Sequence, residues 1–88
     1  MIIALDYDRT YTRDPGLWNE FIAMAELMGH KVVCVTMRDN TELIVPELTI
    51  PTYYTARTAK GRHLIMAGIE PDIWIDDDPL SIFQGKQS

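Results

Sequence analysis

Short apolar runs and longer amphipathic segments follow one another along the chain. The runs within residues 1–6, 31–36 and 72–76 are almost continuously apolar, a pattern typical of strands that are buried on both faces. Segments with apolar residues at helical spacing lie between the runs. Strands that alternate with helices pair in parallel through right-handed crossovers. The pattern therefore predicts a small three-layer, Rossmann-like α/β domain with about four parallel strands.

Capping residues give the bounds of the first helix, which is predicted from Pro15 to Met28. Asp14 is a suitable N-cap, proline is favoured at the first helical position, and Gly29 supplies a left-handed terminator. One face of this helix should pack on the sheet. The positions predicted for that face are Leu17, Phe21, Ala25 and Met28, joined by Ile22.

The second half of the chain has weaker signals. Thr49 to Tyr54 is predicted as an edge strand, because Pro51 within it cannot donate to a neighbour. The following helix should be capped by Thr55 or Thr58 and end at Gly68. Its apolar stripe is predicted to comprise Leu64, Ile65 and Ala67.

Two shorter segments complete the prediction. Residues from Thr41 to Leu48 have room for a short helix, which Pro46 would interrupt because it lacks an amide hydrogen. Asp78 followed by Pro79 repeats the cap-and-proline signal and predicts a helical turn through Phe83.

Size and composition restrict the class of protein. A chain of 88 residues with 47% hydrophobic and 24% charged residues is expected to be a single domain, 1–88, of an ordinary globular protein. We expect a cytoplasmic protein, since no apolar run approaches the roughly 20 residues of a membrane helix and no export signal is recognised. The formal net charge of -5 argues against general nucleic-acid binding. So small a core leaves self-association open.

Acidic residues stand at the ends of two predicted strands. Asp6 and Asp8 follow the first strand, and Asp76 and Asp77 follow the last, with Asp78 as a helix cap. In parallel sheets the ligand site lies beyond the carboxyl ends of the strands, where the strand order reverses. Carboxylates that converge there raise one another's pKa unless a cation compensates them. Because all of these donors are oxygens, the sequence favours a Mg²⁺ site.

Four further residues are candidates through their position. Thr36 ends the second strand and Lys60 precedes a helix, although either residue alone is a weak signal. Arg9 and Arg38 belong to a group of arginines near strand ends. These arginines either offset the acids or bind additional phosphate groups of a substrate.

The order of these residues resembles the four motifs of the haloacid dehalogenase-like (HAD) superfamily. The first motif is Asp6-x-Asp8-x-Thr10 after a strand, the next two are Thr36 and Lys60, and the last is Asp76-Asp77. The resemblance covers residues 1 to about 80 and implies a HAD-like fold. It also implies a Mg²⁺-dependent phosphomonoester hydrolase that acts through an aspartyl-phosphate. The expected substrate is a phosphorylated small molecule or a phosphorylated polymer end, such as a nucleotide or nucleic-acid end.

The resemblance also implies individual roles. Asp6 would be the nucleophile, and the Asp8 side chain would serve as general acid and then as base. Thr36 and Lys60 would hold the phosphoryl oxygens, with Arg38 and Arg9 as further phosphate ligands. The Mg²⁺ ligands would be the Asp6 carboxylate, the backbone carbonyl of Asp8, and Asp77, with Asp76 as ligand or in the second shell. These roles are expectations from the resemblance.

Two departures from the family pattern keep an alternative open. Family members often carry glycine where Arg9 stands, and they usually insert a flap or cap domain where only a few residues separate Thr12 from Asp14. The chain looks like a minimal, capless member. The alternative is a non-hydrolytic phosphate- or metal-binding module on the same fold. A receiver-type phosphoacceptor fits less well, because here a pair of acids follows Lys60.

Overall fold

The computed structural model describes residues 1–42, 44 and 48–85, and these residues form a four-stranded parallel sheet with two α-helices. The strands are β1 (Ile2–Asp6), β2 (Lys31–Thr36), β3 (Thr52–Tyr54) and β4 (Ile73–Ile75). The helices are α1 (Pro15–Leu27) and α2 (Lys60–Met66), and short 3-10 turns cover Tyr11–Arg13 and Pro79–Ile82. The predicted α/β class, the four parallel strands and the element order are confirmed.

The strand order of the sheet is β3-β2-β1-β4. The chain moves outward from β1 through β2 to β3, and then returns across the sheet so that β4 pairs with the other side of β1. The order therefore reverses between β1 and β4, which makes this the position where an α/β sheet opens a crevice for ligands. Asp6 and Asp76 stand at the carboxyl ends of these two strands.

Alternate residues of the sheet contribute to two cores, one on each face. Ile3 and Leu5 of β1 pack with Ile22 and Ala25 of α1 in one core. Ala4 lies on the opposite face, where the second core includes Val33, Val35 and Leu64 of α2. This alternation follows from the period of two along a strand. The described residues thus form a helix layer, a sheet and a second helix layer.

The sheet-facing side of α1 differs from the predicted one. Leu17 and Met28 are exposed by 54% and 69%, so the expectation that they face the sheet is wrong. The packed positions are instead Trp18, Phe21, Ile22 and Ala25. Both stripes are apolar at helical spacing, and the contact with β2 selects the one that is rotated toward the sheet. The Asp14 cap itself is confirmed, because its carboxylate accepts a hydrogen bond from Leu17 N at 3.2 Å.

The start of α2 also differs from the prediction. Its N-cap is Ala59, whereas Thr55 and Thr58 bond each other's carbonyl oxygens through their hydroxyls, at 3.0 and 2.6 Å. The two threonines therefore close a turn before the helix and do not cap it. Because α2 has only seven residues, it buries little more than Lys60 and Leu64. The other two residues of the predicted stripe, Ile65 and Ala67, are exposed.

Cys34 in β2 is fully buried, and burial raises the pKa of its thiol to about 12. The short helix predicted between Thr41 and Leu48 falls largely on residues 43 and 45–47, which lie outside the described residues. Among the described helices, none has the length and apolar character needed to cross a membrane.

Candidate functional site

Three carboxylates converge between the carboxyl ends of β1 and β4. Asp6 lies at the end of β1, and Asp76 and Asp77 follow β4. Each of the three offers an oxygen atom, and these atoms lie within 4.8 Å of one another. Asp6 is only 7% exposed, while the Asp77 side chain is open to solvent at the rim. The structure thus brings together three of the four residues that the sequence predicts as metal ligands.

Lys60 places its ammonium group inside this acidic cluster. Its Nζ lies 2.6 Å from Asp6 Oδ1 and 2.6 Å from Asp76 Oδ2, and the lysine is 2% exposed. Burial acts to lower the pKa of Lys60, but the hydrogen bonds to both carboxylates outweigh it and raise the pKa above its usual value. Lys60, the first residue of α2, is therefore a charged group of the site.

One ammonium cannot neutralise three carboxylates. Burial of Asp6 raises its pKa to about 7, because Lys60 offsets only part of the cost of desolvation. Asp77 shifts the other way: its hydrogen bond with Asp6 and the charge of Arg9 lower its pKa. The two carboxyl groups therefore differ in acidity, and Asp77 is the more acidic of the two.

Two hydroxyl residues fix the orientation of the acids. Thr10 Oγ1 donates to Asp6 Oδ2 at 3.0 Å and accepts from Asp77 N at 3.2 Å, so it connects the ends of β1 and β4. Ser81 Oγ lies 3.2 Å from Asp76 Oδ2. Neither residue was predicted to have a role in the site. The signal for Thr10 was its place in the first motif, but its partner Asp77 is 67 residues away.

The capping hydrogen bond predicted for the Asp78 side chain is not formed. Asp78 occupies the N-cap position of the Pro79–Ile82 turn, but its side chain makes no capping hydrogen bond. Asp76 Oδ1 accepts from Asp78 N at 2.9 Å instead, while Asp76 Oδ2 contacts Lys60. Each oxygen of Asp76 therefore has a structural partner, so Asp76 supports the site from within the protein.

The Asp8 carboxylate lies outside the cluster of three. It accepts two hydrogen bonds from one edge of the Arg38 guanidinium, with Oδ2 at 2.9 Å from Nε and Oδ1 at 2.7 Å from Nη2. Arg38 also lies over the ring of Tyr7, 5.1 Å from its centroid. Asp6 and Asp8 thus have different environments, one facing an acidic cluster with a lysine and the other facing an arginine.

Thr36 and Arg9 occupy contrasting positions. Thr36 is fully buried at the end of β2, and its Oγ1 accepts a hydrogen bond from Arg38 N at 3.2 Å. Arg9 is exposed, and its Nε lies 3.4 Å from Asp77 Oδ2. The backbone of Arg9 has φ of 62°, the left-handed region in which glycine is favoured. The loop thus adopts a glycine-like conformation with an arginine in place.

A small cavity of about 40 Å³ opens between these groups. It has room for an ion with a few waters, but not for a whole ester molecule. The body of any ligand must therefore remain outside it. The lining residues include the three clustered acids together with Asp8, Arg9, Met37 and Lys60.

Comparison with protein families, with curated proteins and with solved structures finds no match to this chain.

The three acids fit the requirements of Mg²⁺. This ion takes oxygen ligands at about 2.1 Å, so ligands on opposite sides of it lie about 4.2 Å apart. The oxygens of Asp6, Asp76 and Asp77 lie within 4.8 Å of one another, so they are close enough together to approach a single cation. A divalent cation would also balance the negative charge that remains after Lys60 and Arg9 have paired with the three acids.

The affinity for Mg²⁺ is expected to rise with pH. The proton on Asp6 competes with the cation, whereas the lowered pKa of Asp77 keeps that residue ionised throughout. As the pH rises toward about 7, the dissociation constant for Mg²⁺ should fall by up to roughly tenfold per pH unit. Above a pH of about 7 the constant should level off. Isothermal titration calorimetry between pH 5 and pH 9, roughly, measures this. A pH dependence that persists in Asp6→Asn would contradict the assignment.

Proposed function

We propose that the protein is a Mg²⁺-dependent phosphomonoester hydrolase that acts through a phosphoryl group bound covalently to Asp6. The observation that carries the proposal is the position of the Asp6 carboxylate. It lies at the sheet's switch point, within 2.6 Å of the Lys60 ammonium and beside Asp77. Attack on a phosphate ester requires a nucleophilic carboxylate, a positive charge beside it, and nearby oxygen atoms that can hold a metal ion. The resemblance to HAD-like hydrolases assigns the same residue.

Asp6 would attack the phosphorus, form a bond to it through a carboxylate oxygen, and expel the alcohol of the ester. Water would then attack the same phosphorus, releasing inorganic phosphate and restoring the carboxylate. Thr10 holds Asp6 Oδ2 at 3.0 Å, which fixes the orientation of the carboxylate for in-line attack. Lys60 would contact the phosphoryl oxygens while it remains bonded to Asp76.

Asp6, Asp77 and the backbone carbonyl of Asp8 would hold Mg²⁺, with Asp76 beside them. When bound, the cation would neutralise the approach of an anionic nucleophile to an anionic ester. Thr36 would contribute its hydroxyl, which can still donate while its oxygen accepts from Arg38 N. Arg9 and Arg38, both near the rim, are proposed as further ligands of phosphate groups of the substrate.

Asp8 would move the protons in both steps. As an acid it would protonate the leaving oxygen, and as a base it would accept a proton from the attacking water. Asp8 lines the same small cavity as Asp6. From there its carboxylate would reach the oxygen of the leaving alcohol and the oxygen of the attacking water. Because Arg38 donates hydrogen bonds to both oxygens of the Asp8 carboxylate, one of these bonds must break during turnover.

The proposal is tested by assaying the full chain with Mg²⁺ against a broad substrate panel. The panel contains nucleotides, sugar phosphates, phosphopeptides and 3'-phosphorylated oligonucleotides, and the readout is released inorganic phosphate. At least one class should be hydrolysed, and chelation of Mg²⁺ should stop the reaction. Absence of release from every class would overturn the proposal.

A second candidate function is a phosphate- or metal-binding module without turnover. The bidentate contact between Asp8 and Arg38 favours it, because a carboxylate held in this way is less available for proton transfer. Under this alternative, Mg²⁺ and a phosphate analogue such as vanadate would bind stoichiometrically while no ester in the panel is hydrolysed.

A further inference from the structure

A second, larger cavity adjoins the candidate site on the side of Asp8. Its volume is about 450 Å³, and its lining includes Arg38, Arg57 and Glu42. Asp8 and Met37 line both this cavity and the small one beside Asp6. The two cavities are therefore neighbours, and one molecule can occupy both by passing over Asp8.

The backbone places Arg57 beside Arg38 at the cost of strain. Ala56 and Arg57 are consecutive non-glycine residues with φ of 51° and 67°, a conformation that side chains disfavour. Hydrogen bonds to the end of β2 hold them there: Arg57 N donates to Met37 O at 2.8 Å and Ala56 N donates to Arg38 O at 3.2 Å. Strain of this kind, when the surrounding structure maintains it, is a mark of functional segments. Here it brings two guanidinium groups to one cavity.

Each guanidinium is engaged by a carboxylate in the geometry that a phosphate would use. Arg38 forms two hydrogen bonds with Asp8, and Arg57 forms two with Glu42, at 3.0 and 3.3 Å. The four side chains are between 32% and 48% exposed. Ion pairs with this exposure contribute little to stability, so an incoming dianion can replace the carboxylates.

We propose that Arg38 and Arg57 bind a second phosphate of a small bisphosphorylated substrate whose first phosphate is hydrolysed at Asp6. This inference rests on the proposed function and adds the substrate class to it. When the second phosphate engages Arg38, the Asp8 carboxylate is released next to the reacting group. The substrate itself thereby frees the proposed acid and base. The net charge of -5 favours a small molecule over a polyanion.

The kinetic test compares substrates that differ by one phosphate. Adenosine 3',5'-bisphosphate is assayed against adenosine 5'-monophosphate, and fructose 1,6-bisphosphate against fructose 6-phosphate. In at least one pair, kcat/KM should favour the bisphosphate by about tenfold or more. Arg57→Gln should reduce this ratio toward one, chiefly through KM. Arg62→Gln is the matched control, because Arg62 is exposed and belongs to the lining of neither cavity; it should leave the ratio unchanged.

Glu42→Gln is expected to change the preference for the bisphosphate in the opposite direction to Arg57→Gln. This variant removes the carboxylate that competes for Arg57, so the preference for the bisphosphate should increase. A 3'-phosphorylated dinucleotide is a further arm of the assay. If it is preferred over both bisphosphates, the second anion is the phosphodiester of a polymer, and the assignment to a small molecule is overturned.

Binding measurements separate a failure of this inference from a failure of the proposed function. Calorimetry on Asp6→Asn should show adenosine 3',5'-bisphosphate binding about tenfold or more tightly than the monophosphate, with the difference lost when Arg57→Gln is added. That result supports the anion site even if the wild-type chain hydrolyses nothing. Hydrolysis without a preference for either bisphosphate, and with Arg57→Gln unchanged, would overturn the inference and leave the proposed function standing.

Discussion

Asp6→Asn is expected to reduce phosphate release by at least about a thousandfold, because an amide cannot form the covalent bond to phosphorus. The fold should survive the change. The retained oxygen can still accept from Lys60, and the new amide can donate to Thr10, the present partners of the carboxylate at 2.6 and 3.0 Å. Circular dichroism and urea denaturation of the purified variant establish that the loss of activity is not a loss of structure.

Asp8→Asn is the matched variant for this experiment. It removes the proposed acid and base but leaves the cluster of Asp6, Asp76 and Asp77 intact. Activity should fall by about a hundredfold to ten-thousandfold, while Mg²⁺ still binds.

Equal activity in wild type and Asp6→Asn would contradict the role of Asp6, since no other residue is proposed to attack phosphorus.

Lys60→Met is expected to lower the free energy of unfolding by about 3–5 kcal/mol, because it leaves two buried carboxylates without their cation. Lys60 is 2% exposed and its ammonium bonds both Asp6 and Asp76. Small domains have only about 5–15 kcal/mol of stability in total, so the variant should be close to unfolding. Urea denaturation in a chelating buffer measures the loss.

Two controls make the Lys60 prediction specific. Arg62→Met removes one positive charge from the exposed side of the same helix and should change stability by no more than about 0.5 kcal/mol. Adding Asp76→Asn to Lys60→Met removes one of the orphaned charges and should restore part of the loss. If Lys60→Met were as stable as Arg62→Met, the ammonium would not be the group that compensates the acids.

The parts of the fold that sequence patterns predicted depend on local chemistry. Three examples follow from backbone constraints on one or two residues: the Asp14 cap, the glycine terminator at Gly29 with φ of 87°, and the edge position of β3, which begins directly after Pro51. The convergence of acids could also be predicted, because parallel strands bring their carboxyl ends to one edge.

The features that were missed depend on contacts between distant parts of the chain. The rotation of α1 that exposes Leu17 is set by the sheet, since its apolar stripes are interchangeable in sequence. The pairing of Asp8 with Arg38 spans 30 residues, and only the position of β2 beside β1 brings it about. In the same way, the connection of Thr10 to Asp77 requires β4 to return next to β1.

Arg9 lies at the rim of the candidate site. Its backbone is left-handed beside the acids, and its side chain reaches Asp77. Under the proposed function this arginine would help to select substrates, because the small cavity has room only for the phosphoryl end of a ligand.

The central claim is that Asp6 becomes phosphorylated, and trapping that group tests it most directly. The full chain is mixed with Mg²⁺ and the best substrate of the panel, quenched in acid within the first turnover, and reduced with borohydride, which converts an acyl phosphate on aspartate to homoserine. Mass spectrometry of the peptide that contains Asp6 should find homoserine at this position in wild type and not in Asp6→Asn. Rapid phosphate release in samples where Asp6 is never modified, or modification of another aspartate, would contradict the account.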